Sequence, residues 1–300
     1  MKQIPVYHVD AFTSTPFTGN PAGVVPDAGA LTEEEMQNIA RELNLSETAF
    51  LLPPQHPEAD LKVRFFTPTS EIGFCGHATV GSAWVLATDY GWLEKAERLV
   101  LETNIGLVPV EWQTTDGRLT DVVMTQVTPK VRDAEVSAAD VARWVGVQES
   151  DLDTRYPIRL GHTGNWHLLV PVKTRAAIDA AQPMLSELEA INRRQEAVTT
   201  HLFTLESKGG DYDLYTRDFG PAVGIPEDPV TGSANGALAG YLVLEGVLDN
   251  ATEHRLTFAQ GDAMRRPGRL QISISSSPDG AVIRVGGAAV PTLKGMLTLP

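Results

Sequence analysis

Apolar and polar positions alternate along much of this chain in short segments of four to eight residues. Residues 6–12 and 61–67 alternate with the period of two that is typical of strands. Similar segments recur at 98–103, 107–112, 200–205 and 212–216. Helical spacing is confined to a few stretches, with one principal helix in each half. This pattern, which lacks a regular strand–helix alternation, predicts an α+β fold.

One of the predicted helices carries its own start signal. Residues 32–43 have helical spacing, and Thr32 lies three residues before Glu35. A threonine followed at this distance by a glutamate is the capping-box pattern, in which each side chain satisfies the backbone N–H of the other. We therefore expect a helix that begins after Thr32. Helices are also predicted at 137–145 and 184–194.

The most distinctive stretch is FFTPTSEIGFCGHATVGSAW, residues 65–84. It reads as a strand, a proline turn, a loop at 69–74 and then a helix of small residues that starts at Gly76. The free N–H groups of a helix N-terminus attract anions. Cys75, Gly76 and His77 would thus place a thiol and an imidazole beside an anion site. The alternative is structural, because a lone cysteine usually packs as a small hydrophobic residue.

A second copy of this stretch occupies residues 215–244, where the Thr-Gly-Ser at 231–233 follows the Cys-Gly-His at 75–77 by 156 residues. Another shared triplet, Thr-Gly-Asn, recurs at 18–20 and 163–165. Matched features in the same order predict a duplicated unit. We expect a first half at 1–128 completed by the tail 287–300, and a second half at 129–286. The two helix N-termini are expected to face each other across a cleft.

Composition narrows the classes of function. The 300 residues carry a net charge of −14 and a pI near 4.9, which disfavours nucleic acid as a partner. A single cysteine indicates a reducing compartment, and no apolar run is long enough to cross a bilayer. Metal-ligand spacings and nucleotide-binding glycine loops are absent from the sequence, so we expect no metal and no cofactor. We therefore expect a cytoplasmic protein, without a signal peptide, that acts on a small molecule.

Glu47 lies between a predicted helix and the apolar strand at 49–52. A single glutamate at such a turn is usually solvated. Drawn inward, it would be desolvated and its pKa would rise, which suits a general acid or base. Asp228 and Ser233 also allow two interpretations, because a residue near a helix start often caps it.

Five motifs together resemble the phenazine biosynthesis PhzF-like family: VDAFTSTPFTGNPAGVV, NLSETAFLLP, FFTPTSEIGFCGHATVGSA, EDPVTGSANGALAGYL and VGGAAV. The resemblance covers essentially the whole chain. It implies the diaminopimelate epimerase-like fold, in which each of two like halves is a mixed β-barrel around a central helix. It also implies acid–base isomerisation of a small carboxylate-bearing substrate without cofactor or metal. We expect a homodimer.

The resemblance also implies site residues. Glu47 matches the family's proton-shuttling glutamate, and His77 and Asp228 match catalytic polar residues. The expected substrate contacts are Cys75, Gly76, Thr231, Gly232 and Ser233.

Cys75 departs from the phenazine enzymes, which have alanine there. In the epimerase relatives this position holds one of two catalytic cysteines, and the other falls at Thr231, which cannot replace a thiolate. An isomerase with one glutamate is therefore favoured over a two-thiol racemase. A one-thiol epimerase and a non-catalytic binding or regulatory protein with the same fold remain as alternatives.

Overall fold

The computed structural model describes residues 2–207 and 210–299 of the chain. The chain divides into two compact units, Met1–Thr125 with Gly286–Pro300, and Gln126–Val285. Both units mix helices with parallel and antiparallel strands. None of the helices in the described ranges has the length and apolarity needed to cross a membrane.

Among its described residues, the first unit has nine strands and three helices. Its strands are β1 (Lys2–Ala11), β2 (Asn20–Val25), β3 (Glu47–Leu52), β4 (Leu61–Phe66), β5 (Glu71–Ile72), β6 (Arg98–Thr103), β7 (Gly106–Thr115), β8 (Arg118–Thr125) and, at the C-terminus, β18 (Ala289–Leu299). Its helices are α1 (Glu33–Leu43), α2 (Gly76–Asp89) and α3 (Trp92–Lys95).

The second unit contains the other strands and the other α-helices. Its strands are β9 (Lys130–Asp133), β10 (Arg159–His162), β11 (Trp166–Pro171), β12 (Thr199–Thr204), β13 (Leu214–Gly220), β14 (Ile225–Asp228), β15 (His254–Gln260), β16 (Gly268–Ser277) and β17 (Gly280–Gly287). Its helices are α4 (Ala138–Val145), α5 (Arg175–Ala180), α6 (Leu185–Arg194) and α7 (Gly232–Leu244).

The same series of strand pairings occurs inside each unit. In the first unit β1–β2, β3–β4 and β6–β7 are antiparallel, whereas β2–β3 and β4–β6 are parallel. In the second unit β10–β11, β12–β13 and β15–β16 are antiparallel, whereas β11–β12 and β13–β15 are parallel. Such a correspondence is what a duplicated unit would produce.

Each unit has one helix that is buried on nearly every side, α2 in the first and α7 in the second. A helix without a polar face must lie inside a core. Both helices are rich in Gly, Ala and Ser, so surrounding strands can approach closely. Thr79 and Ser82 hold their hydroxyls inside α2 by donating to the carbonyl oxygens of Cys75 and Ala78.

Local signals predicted element positions well where they were strong. The capping box is confirmed, because the Thr32 hydroxyl accepts from the Glu35 N–H and the Glu35 carboxylate accepts from the Thr32 N–H. Strand β6 has the predicted bounds. The predicted end of a strand at Thr216 was wrong, because β13 continues to Gly220. Short elements such as α3, α5, β5 and β14 were not predicted.

Candidate active site

Three predicted site residues meet inside the first unit. Helix α1 ends at Asn44 in the left-handed conformation (φ 51°), and the chain then turns so that Glu47 becomes the first residue of β3. Cys75 is the N-cap residue of α2, and His77 lies in its first turn. Glu47 and His77 are each 6% exposed and Cys75 is 7% exposed, so Glu47 is drawn inward.

The three side chains lie within contact distance of one another. Glu47 Oε2 is 3.2 Å from His77 Nε2, and Cys75 Sγ is 3.4 Å from His77 Nδ1. The hydroxyl of Ser46 is 3.5 Å from the same Nε2 atom. Glu47 Oε2 is close enough to His77 for an ion pair, but it meets no described group in hydrogen-bond geometry. A buried carboxylate oxygen thus keeps a lone pair that can accept a proton.

The electrostatics correct the expectation for Glu47. Burial alone raises the pKa of Glu47, but the charge and hydrogen-bonding groups of His77 outweigh it and lower that pKa below its ordinary value. Burial disfavours the charged form of His77, yet its neighbours Cys75 and Glu47 raise the pKa of His77 well above its ordinary value. The pair is therefore a carboxylate beside an imidazolium, and Glu47 is ready to act as a base without prior deprotonation.

Cys75 has the properties of a neutral thiol. Burial raises its pKa, and the adjacent Glu47 carboxylate raises it further, against a smaller opposite effect of His77. A helix N-terminus and a histidine commonly lower the pKa of a thiol, but here burial and the carboxylate dominate. A thiol that stays protonated is a poor base.

Glu47, Cys75 and His77 are also the one group among residues 2–207 and 210–299 with metal-ligand atoms clustered together, all within 4.8 Å. A metal ion binds the thiolate and the neutral imidazole. Here the thiol and the imidazole both favour their protonated forms. A metal ion at this cluster would therefore have to displace a proton from both groups.

Gly76 opens α2 between these residues. A Cβ atom at this position would meet only the Cε atom of Met124, at 3.7 Å, which is an ordinary contact. Its backbone is not in the left-handed region. Neither packing nor conformation in this unit therefore requires glycine. Close approach of a ligand to the backbone N–H is a further reason for glycine at such a position.

The predicted residues of the second unit meet at the start of α7. Thr231 is the N-cap residue, and its hydroxyl lies 2.6 Å from Asp228 Oδ2 and 3.0 Å from Asp218 Oδ2. Gly232 is buried in the first turn, and the carbonyl oxygen of Ser233 accepts a hydrogen bond from Thr163 at 3.4 Å. Thr231 thus contacts buried carboxyls, and its side chain makes no cap to the helix.

Sequence reasoning missed two polar residues of these clusters. Ser46 contacts His77 and precedes Glu47 in the motif that was already singled out. Asp218 is fully buried in a strand in which all seven residues are buried. Its neighbour Arg217 is also charged, so the sequence pattern carried no signal that would have found it.

Comparison with known proteins shows the family to which this chain belongs. A family model described as "Phenazine biosynthesis-like protein" matches residues 9–295. The chain belongs to this family. The PhzF-like resemblance of the five motifs is thereby confirmed.

Two relatives of known sequence illustrate the similarity. The chain is 38% identical to the uncharacterised isomerase YddE of Escherichia coli, over 90% of each protein. It is 34% identical to trans-2,3-dihydro-3-hydroxyanthranilate isomerase of Pseudomonas aeruginosa, over 87% of each. Its relatives are named as isomerases, and isomerase is the enzyme class of the chain.

Solved structures agree on the fold. A PhzF-family phenazine biosynthesis protein of Bacillus anthracis superimposes with a TM-score of 0.90 and 34% identity, covering all of both chains. A hydroxyproline epimerase of Agrobacterium vitis gives a TM-score of 0.64 at 14% identity, with 98% of this chain and 92% of that chain covered. The second likeness concerns the fold alone.

Proposed function

We propose that this protein is a cofactor-independent isomerase that moves a proton between carbon atoms of a small carboxylate-bearing metabolite. The observation that carries the proposal is the buried Glu47–His77 pair, in which a carboxylate oxygen lies 3.2 Å from an imidazole nitrogen without the alignment of a regular hydrogen bond. Because His77 lowers the pKa of Glu47, this carboxylate is already ionised and can accept a proton at neutral pH.

In the proposed reaction, Glu47 removes a proton from a carbon atom next to an unsaturated or carboxylate-bearing group. The electron pair of that C–H bond is delocalised as an enolate-like anion, and Glu47 becomes a carboxylic acid. It then returns the proton to another carbon of the same system, so that atoms and charge balance. The His77 imidazolium offsets the negative charge of the anion when Glu47 is neutral.

Substrate binding would use the start of α2. The Cys75 side chain does not cap this helix, and Gly76 leaves space over its backbone. Backbone N–H groups at a helix N-terminus bind carboxylates well. The named substrate of the Pseudomonas relative, trans-2,3-dihydro-3-hydroxyanthranilate, carries such a group and is the first compound to test.

The barrel architecture is proposed on similar grounds. The strand pairings within each unit, together with a central helix that is buried on nearly every side, favour a mixed β-barrel around α2 and around α7.

Isotope exchange tests the proposed reaction directly. The protein is incubated in D₂O with trans-2,3-dihydro-3-hydroxyanthranilate and with a panel of unsaturated or hydroxylated carboxylic acids, and deuterium is located by NMR. We expect deuterium at a single carbon of the turned-over compound, with no added metal or cofactor. Exchange that proceeds equally with Glu47→Gln would contradict the proposal.

A one-thiol epimerase is disfavoured by the neutral state of Cys75, and Cys75→Ala tests this point. We expect turnover close to that of the wild type, because the Glu47–His77 pair keeps its contact. The free energy of unfolding should fall by about 1 kcal/mol, because a small buried group is lost. Steady-state kinetics and iodoacetamide labelling at neutral pH are the measurements, and labelling of the wild type should be slow. A folded Cys75→Ala protein with turnover reduced by orders of magnitude would show that the thiol is a base.

Gly76→Ala tests the helix N-terminus. The new methyl group has room in the unit, so the free energy of unfolding should stay the same or rise by up to about 1 kcal/mol. We expect kcat/KM to fall, because the methyl group obstructs the approach of the substrate to the backbone. Gly295→Ala is the matched control, since its Cβ would likewise meet one side-chain atom at 3.7 Å. Equal kcat/KM in both variants would argue against substrate binding at Gly76.

A further inference from the structure

Two buried carboxyl groups of the second unit lie on either side of one hydroxyl. The Thr231 Oγ1 atom is 2.6 Å from Asp228 Oδ2 and 3.0 Å from Asp218 Oδ2. Asp218 is completely buried, and Asp228 is 9% exposed. Two neighbouring carboxylates in a dry site repel each other, so such pairs commonly retain a proton.

The orientation of the Gln260 amide determines one of the hydrogen bonds of the Thr231 hydroxyl. Its Oε1 accepts from the Thr231 N–H at 3.0 Å and from Asn235 Nδ2 at 2.7 Å. The opposite side of the amide must then be the NH₂ group, which donates to the Asp228 carbonyl oxygen at 2.8 Å and to Thr231 Oγ1 at 3.1 Å. One lone pair of the hydroxyl is therefore occupied by Gln260.

The remaining hydrogen-bonding capacity of Thr231 is one hydrogen and one lone pair. The hydrogen can be donated to only one of the two carboxyl groups. The oxygen of the other carboxyl group is also within hydrogen-bond distance of Thr231 Oγ1, where only a lone pair remains. These two oxygen atoms can form a hydrogen bond only if the carboxyl group is protonated and donates its hydrogen. The arrangement is complete when one carboxyl group is protonated and the other is ionised.

Asp218 has the hydrogen-bond donors that an ionised carboxylate needs. Its Oδ1 atom accepts from Thr199 Oγ1 at 2.7 Å and lies 2.9 Å from His201 Nδ1. Thr199 in turn lies 2.7 Å from His167 Nδ1, and burial lowers the pKa of His167 to about 4, so that ring is neutral and its Nδ1–H can donate. Asp218 is thus surrounded by donors, which favours the carboxylate.

We propose that Asp218 and Asp228 share one proton through the Thr231 hydroxyl, and that Asp228 holds it as a carboxylic acid. Asp218 is then a positioning residue, which keeps Asp228 protonated through Thr231. A substrate oxygen atom that replaces Thr231 as the acceptor receives the hydrogen bond of Asp228. The use of this donor in catalysis rests on the proposed isomerase function. The shared proton itself depends only on the contacts within the second unit.

Infrared spectroscopy tests the shared proton without an assay of activity. A protonated carboxyl group has a C=O stretching band separate from that of carboxylates, and the band shifts in D₂O. We expect the wild-type protein to show this band at neutral pH. Asp218→Asn should remove it, because an amide NH₂ would donate to Thr231 and Thr231 would then donate to an ionised Asp228. Asp228→Asn should also remove it, because Thr231 would then donate to an ionised Asp218.

Asp153→Asn is the matched control in the same unit. Asp153 is 4% exposed, and hydrogen bonds from Arg155 lower its pKa, so it is a buried carboxylate outside the cluster. The band should persist in this variant. Absence of the band from the wild type, or its persistence in either Asp218→Asn or Asp228→Asn, would overturn the proposal. If Asp218→Asn fails to fold, the wild-type spectrum and the less buried Asp228→Asn still decide the question.

The infrared and isotope-exchange experiments distinguish failure of the shared proton from failure of the proposed isomerase function. An infrared band with the expected response, combined with no isotope exchange in any tested compound, would retain the shared proton and reject the isomerase substrates. Isotope exchange without the band would retain the isomerase and reject the role of Asp218.

Discussion

Glu47→Gln is expected to abolish turnover while leaving the protein folded. The amide has almost the same shape as the carboxylate but cannot take up a proton at neutral pH. General acid–base groups typically contribute about 10²- to 10⁴-fold to the rate, and the loss of kcat should lie in this range. The KM should change far less, because the substrate carboxylate is proposed to bind at the helix N-terminus. Steady-state kinetics and deuterium exchange measure the loss, and circular dichroism reports folding.

Glu102→Gln provides a matched control for this experiment. Glu102 lies in the same unit and accepts hydrogen bonds from the backbone N–H groups of Gln55 and His56, away from the Glu47–His77 pair. Its amide variant should retain wild-type turnover. Full activity of folded Glu47→Gln would exclude the glutamate as the base, and equal losses in both variants would indicate a general effect of charge removal.

The first helix and the candidate base show how far sequence reasoning reaches. Thr32 and Glu35 are three residues apart, so the signal for the start of α1 is local and the prediction is confirmed. Glu47 was singled out from its place between a helix and an apolar strand, and burial at 6% exposure agrees with that choice. Its partner His77 is 30 positions away, and the motif alone did not specify the 3.2 Å contact.

The direction of the pKa shift of Glu47 could not be predicted, because it depends on two opposing effects. Sequence indicated desolvation, which raises the pKa. The structure adds the His77 contact, which lowers it and prevails. The electrostatic effect of a neighbour falls steeply with distance and with solvent access, and these are properties of the folded state.

Asp218 was missed for a related reason. Arg217 and Asp218 look like the polar end of a strand, so β13 was predicted to end at Thr216. In the structure Arg217 forms two hydrogen bonds to Glu227, at 2.8 and 2.9 Å, and Asp218 accepts from Thr199 and Thr231. Charged groups can be buried when such partners are present. These partners come from other elements, so the strand pattern gave no indication of them.

His77→Gln is expected to reduce both stability and turnover, because it leaves a buried carboxylate without its counter-ion. Removing one partner of a buried ion pair costs on the order of 3 kcal/mol in the free energy of unfolding. Burial then acts on Glu47 without the opposing charge, so the pKa of Glu47 should rise. A larger fraction of the base would be protonated at neutral pH, and kcat should fall by about 10²-fold, with its acid limb displaced to higher pH.

The dependence of stability on pH distinguishes the ion pair from simple packing. Glu47 has a lowered pKa, so its contribution is present above about 4.3, the ordinary value for glutamate, and is lost as pH falls through the lowered pKa. His77 has a raised pKa, so its contribution is complete below about 6.5 and is lost as pH rises through the raised value. The difference in unfolding free energy between wild type and His77→Gln should therefore be largest between about pH 4.3 and 6.5. Denaturant unfolding across this range measures it. A difference that is constant with pH would mean that His77 contributes packing alone, and an unchanged acid limb of kcat would mean that it does not set the protonation of Glu47.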